Sequence, residues 1–199
     1  MADPSASLTL VEACWRDLVL GVVQGLTEFL PISSTAHLKV VPELLGWGDP
    51  GVSVTAAIQL GSIVAVIAYF RTDLSQVLQG VSRAFRYGQW REPEARLGFA
   101  MMVGTLPILV IGLGIKFAWS QGYEQSPLRS FPSIAIVSIV MALLLALAEQ
   151  VGARRKQLQV VSGPDGLLVG LAQALALLPG VSRSGSTLTA ALFDGWQRA

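Results

Sequence analysis

Charge is scarce in this chain: Asp, Glu, Lys and Arg make up 14% of its 199 residues, against about 25% in soluble domains. The net charge of +1 leaves no basic surface for a nucleic acid, and none is expected as a partner. One cysteine, Cys14, excludes an internal disulfide and is too little for a thiolate metal site; it reads as a small apolar helix residue. One histidine, His37, excludes any mechanism that needs two. The opening Met1-Ala2-Asp3-Pro4-Ser5 lacks a basic n-region, so no cleavable signal peptide is expected. What the chain has in abundance is apolar surface: 52% hydrophobic residues and a mean hydropathy of +0.58 describe an integral membrane protein, read here as one membrane domain over 1–199.

Three stretches are long enough to cross roughly 30 Å of hydrocarbon at 1.5 Å per residue. These are 52–70, without a charge; 97–119, interrupted by Pro107 and ending in Trp119 at an interface; and 133–148, up to Glu149. The segment 8–30 is apolar but carries Glu12, Arg16, Asp17 and Glu28, and 166–178 is too short to cross alone. Between the crossings, 71–96 holds Arg71, Arg83, Arg86, Arg91 and Arg96, and 149–165 holds Arg154, Arg155 and Lys156. By the positive-inside rule both are cytoplasmic, which puts 31–51 and 120–132 outside. The arginines at 83–91 read as a solvated or headgroup-facing stretch.

The chain also says nearly the same thing twice. Gly21-Val-Val-Gln24-Gly-Leu-Thr-Glu28-Phe-Leu-Pro31-Ile-Ser33-Ser34 returns as Gly170-Leu-Ala-Gln173-Ala-Leu-Ala-Leu-Leu-Pro179-Gly-Val-Ser182-Arg183-Ser184-Gly185. Each copy, 21–37 and 170–187, is an apolar helix with G-x-x-Q, stopped by proline and followed by hydroxyls. Polar groups past a helix break in lipid need partners or a polar ligand. Three crossings between the copies invert one relative to the other, so the fold class is all-α: a polytopic membrane protein with inverted repeats and broken, re-entrant helices whose breaks form one site.

In the first copy Gln24 and Glu28 share a helix face one turn apart, and an intramembrane carboxylate is either functional or a brace against Arg16 or Arg183. Ser33, Ser34, Thr35 and His37 follow Pro31, with Ser34 and His37 three residues apart; taken alone they could also be an ordinary helix cap and a structural histidine. The second copy offers backbone N–H groups, hydroxyls and a helix start to an anion, through Ser182, Arg183, Ser184, Gly185 and Thr187, with the planar fork of Arg183 suited to phosphate. A Gly-Ser turn with a snorkelling arginine is the structural alternative. A carboxylate for a divalent cation, a histidine among serines and an anion loop together describe phosphoryl transfer. Either Ser34, deprotonated by His37, attacks phosphorus, or His37 activates water and Ser34 donates a hydrogen bond; the serine is preferred because it sits just past the break in a desolvated site.

The runs Gln24-Gly-Leu-Thr-Glu28-Phe-Leu-Pro31-Ile-Ser33-Ser34-Thr35-Ala-His37 and Pro179-Gly180-Val-Ser182-Arg183-Ser184-Gly185-Ser-Thr187, with Ile58-Gln-Leu-Gly-Ser-Ile-Val-Ala-Val between them, closely resemble the signatures of the undecaprenyl-diphosphate phosphatase (bacitracin-resistance) family. The resemblance implies a multi-pass enzyme of the bacterial plasma (inner) membrane with an outward, periplasmic site. It would hydrolyse the C55 polyprenyl diphosphate to the monophosphate carrier of peptidoglycan synthesis, and so confer bacitracin resistance. It implies Mg²⁺ or Ca²⁺, with Glu28 and Gln24 on the family's (E/Q)xxxE pair for metal and catalysis. Ser34 and His37 fall on the essential serine and histidine; Ser182, Arg183 and Thr187 fall on the phosphate loop, with Ser184, Gly185 and Ser33 beside them as further substrate-binding residues. Gln24 stands where many members have glutamate, one charge fewer for a metal. Family members continue for several more helices, so the resemblance makes a chain ending at Ala199 C-terminally truncated. The competing class is a polyprenyl-phosphate transporter or flippase with the same inverted-repeat site; it would need binding groups but no nucleophile or base.

Overall fold

The computed structural model describes residues 9–119, 122 and 126–197. Among these residues there is no strand. The α-helices are α1 (Leu10–Glu28), α2 (Ser34–Leu44), α3 (Gly51–Tyr69), α4 (Arg71–Tyr87), α5 (Pro93–Ala118), α6 (Phe131–Val151), α7 (Gly163–Ala174) and α8 (Arg183–Phe193), with a 3-10 turn, Leu175–Leu177, extending α7. The all-α class holds. Both α5 and α6 are long and apolar enough to cross a bilayer, and protein covers only 17% and 11% of their most apolar stretches. The rest, including Val110 on α5 and Leu143 on α6, is exposed and calls for a hydrocarbon solvent. A third crossing is counted if the bent pair Ser53–Tyr69 and Arg71–Tyr87, angled at 73°, is one broken span.

One feature departs from expectation. α5 is not interrupted at Pro107 but runs unbroken from Pro93 to Ala118, with the proline buried. Proline removes one amide donor, and a bilayer helix tolerates that where neighbouring helices pack around it. The basic segment 71–96, which the sequence marks only as polar and basic, takes up regular structure. Most of it is α4, an amphipathic helix that turns back onto the start of α5, burying Gly80 and Ala84 there together with Ala95 of α5. Arg83 pairs with Glu92 at 2.9 Å; Arg86 and Arg91 stay exposed beside Leu78 and Phe85, the pattern of a helix lying at a headgroup surface. Arg96 is drawn inward, donating to the carbonyls of Val160 and Val161 at 2.9 Å each.

Few large side chains are buried between helices, and small ones take their place. α5 and α7 meet at Ala100 and Gly104 against Gly166 and Gly170, so closely that a Cβ on Gly170 would lie 2.1 Å from the Gly104 carbonyl oxygen. This is small-xxx-small packing, the way helices associate when lipid removes the hydrophobic drive between them. α8 packs on α6 and α7, while α1 packs on α2 and α3. At the foot of α7 and the end of α8, Lys156 bridges Asp165 and Asp194 at 2.9 and 2.8 Å. Asp194 first, then Asp165, holds the Lys156 ammonium pKa above its ordinary value by hydrogen bonding.

Candidate active site

Each repeat breaks where its proline stands, but the two restarts differ. In the second copy the chain passes Gly180 at φ +97°, where a Cβ would meet the Ile134 carbonyl oxygen at 2.7 Å. It then enters α8 through an orthodox cap: the Gly185 amide donates to Ser182 Oγ at 3.2 Å. In the first copy the cap position is Ser33, held at φ +64° in the left-handed region with no side-chain cap bond. A non-glycine residue there is strained, and such strain concentrates at functional sites. Ser33 is 4% exposed, and its Oγ is buried with no hydrogen-bond partner among the described residues.

The breaks touch, although about 150 residues separate them: Ser184 Oγ donates to the Leu30 carbonyl at 3.4 Å, and a Cβ on Gly185 would meet the Pro31 carbonyl oxygen at 3.4 Å. Between them lies a cavity of about 270 Å³. Glu28, Ser33, Ser34 and Thr35 form its first-repeat wall; Ser182, Arg183, Ser184 and Thr187 face them, with Gln59 of α3 and Gln173 of α7 completing the polar lining. Thus the structure gathers Glu28, Ser33, Ser34, Ser182, Arg183, Ser184 and Thr187 around one space. Gly185 is buried just behind it, and His37 and Gln24 are not wall residues.

The hydrogen bonds assign tasks to these groups. Ser34 Oγ donates to Glu28 Oε2, which also accepts from Gln24 Nε2 at 3.0 Å. Neither Arg16 nor Arg183 braces Glu28: Arg16 lies over the Trp47 ring at 5.3 Å, and Arg183 makes no ion pair among the described residues. Arg183 is exposed on the cavity wall, an unneutralised guanidinium facing a hydroxyl–carboxylate pair. Ser34 and His37 stand one turn apart on α2 as the spacing predicts, yet the partner of Ser34 is Glu28. His37 Nδ1 lies 2.9 Å from the Ser33 carbonyl oxygen; a carbonyl only accepts, so Nδ1 carries the hydrogen and Nε2 is the acceptor of the neutral ring. His37 therefore clamps the strained turn that aims Ser34.

Whether a divalent cation suits this donor set follows from the oxygens. Among the described residues no three His, Cys, Asp or Glu side chains gather, so there is no all-protein cage. A hard cation can instead take one or two protein oxygens and fill its shell with water and phosphate oxygens. Neither Glu28 Oε1 nor the buried Gln24 Oε1 behind it accepts a hydrogen bond from a described residue. The residues fit that mode.

Sequence reasoning passed over Gln59 and Gln173 as site residues. Both signals were present: Gln173 is the glutamine of the repeated G-x-x-Q, and Gln59 is the one carboxamide in the lipophilic span 52–70.

The chain is similar to known proteins over most or all of its length. The family profile described as bacitracin resistance protein BacA matches residues 17–199. Over its whole length the chain is 96% identical to a protein of Synechococcus sp. (strain CC9605) named undecaprenyl-diphosphatase, spanning 69% of it. It is 82% identical, with the same coverages, to the undecaprenyl-diphosphatase of Parasynechococcus marenigrum (strain WH8102), and 75% identical to that of Synechococcus sp. (strain CC9902), again over all of this chain and 69% of the relative.

Proposed function

The chain belongs to the bacitracin resistance protein BacA family, and on that premise we propose that it is a membrane-embedded hydrolase that splits undecaprenyl diphosphate into undecaprenyl phosphate and inorganic phosphate. The observation that carries the reading is the Ser34–Glu28 hydrogen bond facing Arg183 across one cavity. In this role Ser34 Oγ attacks the terminal phosphorus, Glu28 takes its proton, and the P–O bond to the lipid phosphate breaks, releasing the lipid monophosphate. Water then attacks the phosphoserine, phosphate leaves, and the Ser34 oxygen recovers a proton. The Arg183 fork and the α8 entry bind the equatorial phosphate oxygens and stabilise charge as it develops; Ser182, Ser184, Gly185, Thr187 and Ser33 shape that pocket. His37 holds the turn. Mg²⁺ or Ca²⁺, held by Glu28 with Gln24 beside it, would neutralise phosphate charge when bound.

A serine bonded to a carboxylate supports hydrolysis over translocation, which needs neither nucleophile nor base. The basic segments 71–96 and 149–165 support a cytoplasmic placement for themselves and, for the two breaks, a site opening to the periplasmic side of the bacterial plasma membrane. In that setting the reaction would recycle the peptidoglycan lipid carrier and confer bacitracin resistance. The test is phosphate release from undecaprenyl diphosphate by the purified chain in detergent, with Mg²⁺, with Ca²⁺ and with a chelator. Release that stops on chelation is expected; a folded chain that releases none would refute the assignment.

A further inference from the structure

The wall of the active-site cavity carries two carboxamides to which the mechanism gives no task. Gln59 comes from α3 and Gln173 from α7, both half-buried, and neither side chain hydrogen-bonds to a described residue. A primary carboxamide brings two N–H donors and a carbonyl oxygen, and leaving these unused at membrane depth is costly.

The repeat shows what is unusual about Gln173. In the first copy Gln24 has Glu28 four residues on, and its carboxamide nitrogen is committed to that carboxylate at 3.0 Å. In the second copy the residue four positions after Gln173 is Leu177, so the corresponding carboxamide has no acid to serve and opens onto the cavity. Gln24 is 2% exposed and sits behind the wall, whereas Gln173 is part of the wall. The same residue type at the same place in the repeat is used once as a brace and once as a free donor.

The charge balance of the lining says what such donors would meet. Among the described residues Arg183 is its one cation and Glu28 its one anion, while a diphosphate headgroup brings more negative charge than Arg183 can answer. Uncharged N–H donors bind phosphate oxygens without adding a cation that would also retain the anionic lipid monophosphate after cleavage. We propose that Gln59 and Gln173 are substrate-binding residues that donate hydrogen bonds to the diphosphate headgroup. This rests on the diphosphatase reading above.

The experiment is steady-state kinetics on undecaprenyl diphosphate for wild type, Gln59→Leu, Gln173→Leu and the isosteric Gln59→Glu and Gln173→Glu, each with a melting temperature. Hydrogen bonds to charged groups are the stronger kind, so each leucine variant should raise KM by roughly tenfold with kcat changed far less. The glutamate variants keep the volume but place a carboxylate against the phosphates; they should melt like wild type and raise KM further. Wild-type KM in the glutamate variants would overturn the proposal. So would unfolding of the isosteric variants, which would make the glutamines structural. No phosphate release by wild type would overturn the diphosphatase reading itself, and this proposal with it.

Discussion

Ser33 concentrates the strain of the site: it sits at φ +64° with a buried hydroxyl that has no partner among the described residues. Glycine adopts that conformation freely, so Ser33→Gly relieves the turn and removes the hydroxyl together. The expected outcome is a melting temperature at or above wild type with lower kcat/KM, a separation that marks strain kept for function rather than for stability. Arg183 is the complementary case. Arg183→Lys keeps the charge and loses the bidentate fork, so kcat/KM should fall on the order of tenfold or more, about 1.4 kcal/mol per factor of ten; unchanged kinetics would remove Arg183 from phosphate binding. At this scale much was legible, because Glu28, Ser34 and Arg183 are polar groups in apolar surroundings and have few reasons to be there. The partner of Ser34 was not. Spacing along α2 favours His37, and only the turn geometry after Pro31 brings Glu28, six residues earlier, to the hydroxyl instead.

Elements carry the site because both proline breaks are held by close helix contacts. α7 can deliver the loop before α8 only while Gly166 and Gly170 lie against Ala100 and Gly104 of α5. Gly170→Leu has nowhere to place its side chain, with the Gly104 oxygen 2.1 Å from the first carbon, and overpacking of this kind costs about 1–3 kcal/mol or more. Thermal unfolding in detergent should show a clear drop for Gly170→Leu, while a change at Gly21, where a Cβ meets nothing within 4 Å, should be mild by comparison. Crossings were readable from length and hydropathy, and both long spans came within a few residues of their expected bounds. Pro107 was misleading because a proline's effect depends on what packs around it. α4 was hidden because its arginines dominate the composition, while its buried face is made of Gly80 and Ala84, residues that contribute little to any hydropathy sum.

At the scale of the whole molecule the two breaks meet around one cavity, as the proposed inversion of the repeats requires. Single cysteines at Gln89 and Leu128 in a Cys14→Ser background, probed with an impermeant thiol reagent, should be labelled from opposite faces of the membrane. Labelling of both from one face would contradict the inverted arrangement. The meeting of the repeats was legible as an argument about cost, since neither polar break is tenable in lipid without the other. The hydrogen bond that joins them, Ser184 Oγ to the Leu30 carbonyl at 3.4 Å, uses a main-chain acceptor that no residue pattern announces.

The central claim is that Ser34, activated by Glu28, carries the phosphoryl group. It is tested most directly by quenching turnover of undecaprenyl diphosphate radiolabelled in its terminal phosphate and locating the label on the protein. Label is expected on the Ser34 peptide in wild type, with neither label nor phosphate release in Ser34→Ala. Substantial phosphate release by a folded Ser34→Ala protein would contradict it and make water the nucleophile.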